Sequence, residues 1–282
     1  MSATVDPPQV AMPPRRTTTP VGDVTIDAWV WDDADAAPGA PSAADAPATG
    51  TGTPSAQERP AFVLVHGLGA SSRYFRPLAR LLAAHGTVHA LDLPGFGSAP
   101  DPTRDLDIAD HADAIGRYIR THGIDRPLLV GHSMGSQFVA ELLARDPDIT
   151  DSAVLLGPTV EPTGATAKRQ AARLLRDQLH ETPASIVSTM TDTVFRCGAG
   201  YYRRQLRHLL EHDMEATVAA VTADLLVVRG DRDPVAPREW VHRLADLAPH
   251  GTFLEMPGPH VVMMSYPEIV ADIILERVRA RS

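Results

Sequence analysis

The sequence predicts an α/β protein: a mostly parallel sheet covered by helices on both faces and interrupted once by an all-helical segment. Three observations carry that expectation. Short continuous apolar runs such as Phe62-Val63-Leu64-Val65 and Leu128-Leu129-Val130 read as strands buried on both faces. Amphipathic helical stretches alternate with them, which is the order that builds a parallel sheet. Between about Thr159 and Thr222 the alternation stops and the pattern is helical throughout.

Taken in order, residues 1–20 are rich in Pro and Thr and are expected to be a disordered tail. Val24, Ile26, Ala28 and Val30 then alternate with Thr25, Asp27 and Trp29, the period of a strand with one covered face. Residues 32–60 hold almost only Ala, Pro, Asp, Gly, Ser and Thr, too little apolar bulk for a core, and read as a flexible insertion. The core proper is expected over 21–158 and 223–282. Its first buried strand is Phe62–Val65, followed by a helix over about Arg76–His85 that stops at Gly86. Val88–Leu93 is the next strand, ended by the turn Pro94-Gly95-Phe96-Gly97. Asp107 caps a helix whose Ile108, Ala112, Ile115 and Ile119 recur at helical spacing. Leu128–Val130, the helix Ser136–Ala144 and the strand Ala153–Leu156 complete the first half. Residues 159–222 read as a helical cap over one end of the sheet. Alternation then resumes with Leu225–Val228, the helix Pro237–Leu247, Thr252–Met256 and the helix Pro267–Arg279.

Composition excludes several classes of function. The chain of 282 residues is 44% apolar and 22% charged, ordinary for a globular protein. Its net charge of −9 argues against nucleic acid or an anionic membrane as partner. The N-terminus has no apolar core of a secretory signal and no run approaches 18 apolar residues, so a cytoplasmic location and no membrane span are expected. The single cysteine, Cys197, rules out an internal disulfide and a thiolate metal site. His85, His89 and His111 lack metal-ligand spacing and no Gly-rich phosphate loop is present, so no cofactor and no metal are expected. An exposed cap helix and a dimer helix read alike, which leaves a homo-oligomer open.

The chemistry lies in Gly131-His132-Ser133-Met134-Gly135, between a strand and a helix. This is G-x-S-x-G in the strand–turn–helix setting of a nucleophile elbow, where small flanking residues let a strained turn project the serine hydroxyl. A serine nucleophile needs a histidine base, and the base needs an orienting acid. Asp233 follows the strand Leu225–Val228 and His260 follows Thr252–Met256. In a parallel sheet the carboxyl ends of all strands share one edge, so Ser133, Asp233 and His260 are expected together, in the chain order that the elbow requires. His66-Gly67-Leu68-Gly69, directly after the strand Phe62–Val65, supplies a second backbone approach. The N–H groups of Leu68 and Met134 are the candidate oxyanion donors.

Asp231, two residues before Asp233, is a rival orienting acid. His66 and His132 read as structural, Cys197 as a small hydrophobe, and Tyr201, Tyr202, Arg203 and Arg204 as a solvated cap helix.

With Leu91-Asp92-Leu93-Pro94-Gly95-Phe96-Gly97, Gly230-Asp231-Arg232-Asp233 and Gly258-Pro259-His260 added, the chain resembles the α/β-hydrolase superfamily from about Val21 to its end, outside the insertion and the cap. The resemblance implies eight strands with the cap inserted after the sixth. Two positions depart from it: Ser136 stands for a frequent glycine after the elbow, and Pro259 for a glycine before the histidine. It implies a serine hydrolase acting on an ester or lactone of an apolar small molecule through an acyl-enzyme. Relatives that hydrolyse C–C bonds of ring-fission products carry an aromatic after the histidine, where Val261 stands here. Peracid formation, acyl transfer, and ligand binding without catalysis are the remaining alternatives on this fold.

Overall fold

The computed structural model describes residues 13–32, 59–162 and 166–281. Eight strands form one sheet: β1 (Arg15–Val21), β2 (Val24–Trp31), β3 (Ala61–Val65), β4 (Thr87–Asp92), β5 (Leu128–His132), β6 (Ser152–Leu156), β7 (Asp224–Gly230) and β8 (Gly251–Met256). Their spatial order is β1-β2-β4-β3-β5-β6-β7-β8. The pairs β1–β2 and β2–β4 are antiparallel, and every pair from β4–β3 to β7–β8 is parallel.

The apolar runs explain the layering. In β3, Val63 and Val65 face one core and Phe62 and Leu64 the other. The same split recurs in β7, with Leu225 and Val227 on one side and Leu226 and Val228 on the other. Two helical layers supply the partners. α2 (Ile108–Thr121), α3 (Met134–Arg145) and α8 (Arg238–Leu247) bury Ile115, Phe138 and Trp240 against the first face. α1 (Arg76–Ala83) and α10 (Pro267–Arg279) bury Leu78, Leu82 and Ile274 against the second. Asp107 caps α2 as expected, and the cap is reciprocal: Asp107 accepts the Asp110 N–H while Asp110 accepts that of Asp107.

The tail expected over residues 1–20 is corrected from Arg15 onwards, where the chain forms the edge strand β1. Its reason lies in β2, which carries a fully buried carboxylate at Asp27. A buried charge needs partners. β1 provides them as an ion pair from Arg16 and a hydrogen bond from Thr18 Oγ1 at 2.6 Å. Pro20, which lacks an N–H, is tolerated because β1 is an edge. The 32–60 insertion lies almost wholly outside the described residues.

Between β6 and β7 the described residues are helical: α4 (Ala167–Asp177), α5 (Pro183–Thr191), a wide irregular turn over Asp192–Cys197, α6 (Ala199–Glu211) and α7 (Met214–Ala219). The solvated reading of α6 is corrected at Tyr201, which is 5% exposed and donates its hydroxyl to the Pro94 carbonyl at 2.8 Å. Gln205 of α6 reaches the Leu106 carbonyl at 2.8 Å, so this helix is bolted to the loop after β4. Cys197 is buried, and burial pushes its thiol up to about 12. Among the described residues no helix is long and apolar enough to cross a membrane.

Candidate active site

The site begins with a backbone that few residues tolerate. Ser133, between β5 and α3, has φ 55° and ψ −120°, one of two non-glycine residues at positive φ among those described. Such a conformation persists only where the surroundings over-determine it. They do so here through contact too close for side chains. A Cβ on Gly131 would lie 2.5 Å from the Gly135 carbonyl oxygen, and one on Gly135 would lie 2.2 Å from that of Val65. β3, β5 and α3 are thus drawn together around the serine. Gly135→Ala is expected to lower stability by about 1–3 kcal/mol, as overpacking against atoms that cannot yield does. The urea midpoint of unfolding checks it, and an unchanged midpoint would show that β3 and the elbow separate freely.

The candidate oxyanion loop, His66–Gly69, is seated by the same device. A Cβ on Gly67 would come within 2.9 Å of Ser133 Cβ, so glycine lets the loop reach the elbow. His66 fixes the loop from behind, donating from Nδ1 to the Gly67 carbonyl at 2.8 Å and accepting the Leu93 N–H at Nε2 at 3.1 Å. The N–H groups of Leu68 and Met134 have no hydrogen-bond partner among the described residues. Met134 stands at the N-terminus of α3, where orphan N–H groups and the helix dipole favour negative charge.

Asp233 and His260 meet on the far side of Ser133. His260 Nδ1 lies 2.8 Å from Asp233 Oδ2, and both side chains are buried. Asp233 Oδ1 accepts the N–H groups of Val235 and Ala236 at 2.7 and 3.0 Å, which fixes the carboxylate's orientation. Gly157 passes beneath the pair; a Cβ there would lie 3.0 Å from the imidazole and 3.1 Å from the carboxylate. The rival Asp231 is half exposed and accepts the Gly258 N–H at 2.9 Å. His260 Nε2 is buried and makes no hydrogen bond among the described residues, to Ser133 Oγ included. Ser133 and His260 line one cavity.

A hydrogen-bond chain ties the Gly67 loop to the loop that carries His260. The Gly67 N–H donates to the Tyr74 hydroxyl at 2.7 Å, which leaves that hydroxyl to donate to His132 Nδ1 at 2.9 Å. His132 Nε2 then carries the proton donated to the His260 carbonyl at 3.0 Å, a tautomer assigned from the network. Burial holds His132 neutral, well below the ordinary imidazole range. His66 and His132 are thus braces, as read from the sequence.

The cap contributes residues that the sequence reading missed. Asp177 and Glu181 line the cavity with Leu68, Ala70, Leu174 and Val261, and among the described residues no arginine or lysine lines it. Their signal is an acidic pair four residues apart that directly follows the basic run Lys168, Arg169, Arg173 and Arg176. The cap also grips the oxyanion loop: buried Asp192 accepts the Ser71 hydroxyl at 2.5 Å, and Thr193 Oγ1 donates to the Gly69 carbonyl at 3.0 Å. A wider, open cleft between α2 and α3 holds Asp113, Arg117, Arg120 and Arg145, with no serine, threonine or cysteine among the described residues that line it.

An eight-stranded sheet in this order, with a serine elbow after β5 and an acid–histidine pair after β7 and β8, defines a protein of the α/β-hydrolase fold. The α/β hydrolase fold family matches residues 60–186. A 2-(acetamidomethylene)succinate hydrolase of Mesorhizobium japonicum is 26% identical over 247 residues, spanning 78% of this chain and 88% of its own. A pimeloyl-[acyl-carrier protein] methyl ester esterase of Xanthomonas campestris pv. campestris is 25% identical over 247 residues, 78% of this chain and 96% of its own. The solved enol-lactonase from Burkholderia xenovorans LB400 superposes with a TM-score of 0.74 at 17% identity, covering 93% of this chain and 100% of that one. The chain thus has the α/β-hydrolase fold, and its residues 60–186 match the family of that name.

Proposed function

We propose that this protein is a serine hydrolase cleaving a carboxylic ester or lactone of an uncharged, largely apolar small molecule, with Ser133 as nucleophile, His260 as base and Asp233 as its orienting acid. The observation that carries this reading is the buried 2.8 Å contact of His260 with Asp233, opening on the same cavity as Ser133 at its strained turn. His260 Nε2 takes the proton of the Ser133 hydroxyl as Oγ bonds to the substrate carbonyl carbon. The carbonyl oxygen gains negative charge against the N–H groups of Leu68 and Met134. Asp233 stays ionised and stabilises the imidazolium. Collapse breaks the bond to the alkoxy oxygen, which leaves with the proton from His260. Water, giving a proton to His260, then attacks the acyl carbon; collapse breaks the bond to Ser133 Oγ, which takes that proton back from His260 as the acid leaves.

Three proteins named above bear on the choice of substrate. The methyl ester esterase and the enol-lactonase support acyl–oxygen cleavage. The succinate of the Mesorhizobium relative carries carboxylates. Here the described residues lining the cavity include Asp177 and Glu181 and no arginine or lysine that would bind a substrate carboxylate, and like charges brought together cost several kcal/mol. C–C hydrolysis of ring-fission products is the second reading, and Val261 after the histidine weighs against it.

A serine-reactive phosphonate should label Ser133, and a panel of linear esters, lactones and vinylogous diketones should place turnover with the first two. Dimethyl succinate should exceed its monoacid ester in kcat/KM by about tenfold or more, a difference of about 1.4 kcal/mol. Failure to label Ser133 with no ester cleaved would sink the esterase reading; a preference for the monoacid would sink the uncharged-substrate reading.

A further inference from the structure

The corner of the cap between α4 and α5 makes contacts that an elbow, an oxyanion loop and an orienting acid do not require. Asp177 closes α4, is 2% exposed, and accepts the main-chain N–H of His260 at Oδ1 at 3.0 Å. Four residues on, Glu181 Oε1 accepts the N–H of Val261 at 2.7 Å. Its Oε2 takes the hydroxyls of Ser185 at 2.5 Å and Ser265 at 3.4 Å. Two consecutive amides of the loop that carries the base are therefore held by two carboxyl groups of the cap. Anchoring an N–H needs only an acceptor, which an amide oxygen supplies at no cost in charge. A carboxylate brings charge into a desolvated pocket, which is unfavourable unless something there uses it. Burial, reinforced by Glu181 and opposed by His260, pushes Asp177 up to about 7.

Resting on the reading of Ser133 and His260 as nucleophile and base, we propose that Asp177 and Glu181 are positioning residues that dock the His260 loop onto the cap and use their charge to hold a proton on its imidazole. The groups around that ring point one way. Asp233 faces it from the β7 loop, and Asp177 and Glu181 from the cap. From the elbow come the neutral Ser133 hydroxyl and His132, whose ring centroid is 4.7 Å away and which burial keeps neutral. Gly157 beneath brings no charge. Burial works against the imidazolium, but the three carboxyl groups outweigh it and His260 is pushed up to about 9. The effect on turnover is two-sided. The imidazolium that forms as Ser133 attacks is stabilised, while the free base is scarce at neutral pH.

The acid limb of kcat/KM reports the base of the free enzyme. For a neutral ethyl ester followed in a pH-stat, that limb is expected near pH 9 in the wild type. Asp177→Asn and Glu181→Gln both keep an oxygen that accepts the same N–H. Each is expected to move the limb down by about one unit, freeing about tenfold more base at pH 7. The alkaline plateau should drop below that of the wild type, so that the profiles cross. A purely structural contact would lower kcat/KM at every pH and leave the limb in place, and that result overturns the proposal. The companion measurement is the NMR titration of the His260 ring in Ser133→Ala protein, with and without Asp177→Asn or Glu181→Gln, which reads the imidazole whether or not any ester turns over. A ring titration unmoved by both changes overturns the proposal. A moved titration without Ser133-dependent turnover upholds it and overturns instead the assignment of Ser133.

Discussion

Ser133→Ala is expected to lower kcat on an activated ester by about 10⁴–10⁶-fold, the range over which triad members act as a unit, while stability stays within about 0.5 kcal/mol of wild type. The argument for so selective a loss is geometric. Ser133 Oγ makes no hydrogen bond to another described residue, so its removal leaves no buried partner unsatisfied. The positive φ is imposed by the approach of β3, β5 and α3, and alanine meets it with the same Cβ. What disappears is the atom that bonds to the acyl carbon. Any residual rate is expected from the proposed oxyanion donors, the N–H groups of Leu68 and Met134, which the substitution does not touch. Adding His260→Ala to Ser133→Ala should therefore cost almost nothing more, because a base without a nucleophile has no proton to take. Steady-state rates of the two single variants and the double variant check this. Ser133→Ala retaining a tenth of wild-type turnover would remove Ser133 from the mechanism.

What could be read in advance follows from how locally each feature is encoded. β3 and β7 were legible because strands buried on both faces must be apolar at every position, and their residues do divide between two cores. The elbow was legible because one of its close approaches, Gly131 against the Gly135 carbonyl, lies within the motif, whereas the contact of Gly135 with Val65 on β3 is a fact of the fold. Asp233 and His260 were legible because each follows a strand, and strand ends in a parallel sheet share an edge. The start of α3 was misjudged by two residues, since Ser133 itself is the residue before its first turn. β1 was missed because its signal is not in its own composition but in the unpaired need of Asp27 on its neighbour. Asp177 and Glu181 were missed for a related reason. On an amphipathic helix a carboxylate looks solvated, and Asp177 meets His260 across 83 residues of chain. A buried charge is intelligible only with its partner, and the partner is a fact of tertiary structure.

Asp233→Asn is expected to cost about 10⁴-fold in kcat, comparable to loss of the same role in other serine triads, although it changes one atom. The carboxylate serves three donors. Oδ1 takes the N–H groups of Val235 and Ala236, and Oδ2 takes that of His260 Nδ1. Asparagine has one oxygen and must choose. Turned towards His260, it leaves two buried N–H groups facing an NH₂, at about 1–3 kcal/mol for each unsatisfied group. Turned towards the two amides, it keeps both and presents its NH₂ to the imidazole. The second arrangement is favoured by the difference of one buried bond. His260 Nδ1 must then accept, so the ring proton moves to Nε2, the atom that should receive the proton of Ser133. The tautomer is wrong while every heavy atom stays in place. Asp231→Asn provides the contrast, because its half-exposed side chain touches the Gly258 N–H and not the imidazole. It should leave kcat within about threefold of wild type, the effect of about 0.5 kcal/mol common at such positions. Parallel kcat measurements on the two variants, with a ring-nitrogen NMR spectrum of His260 in the first, test the assignment. A large loss in Asp231→Asn with little in Asp233→Asn would transfer the orienting role to Asp231.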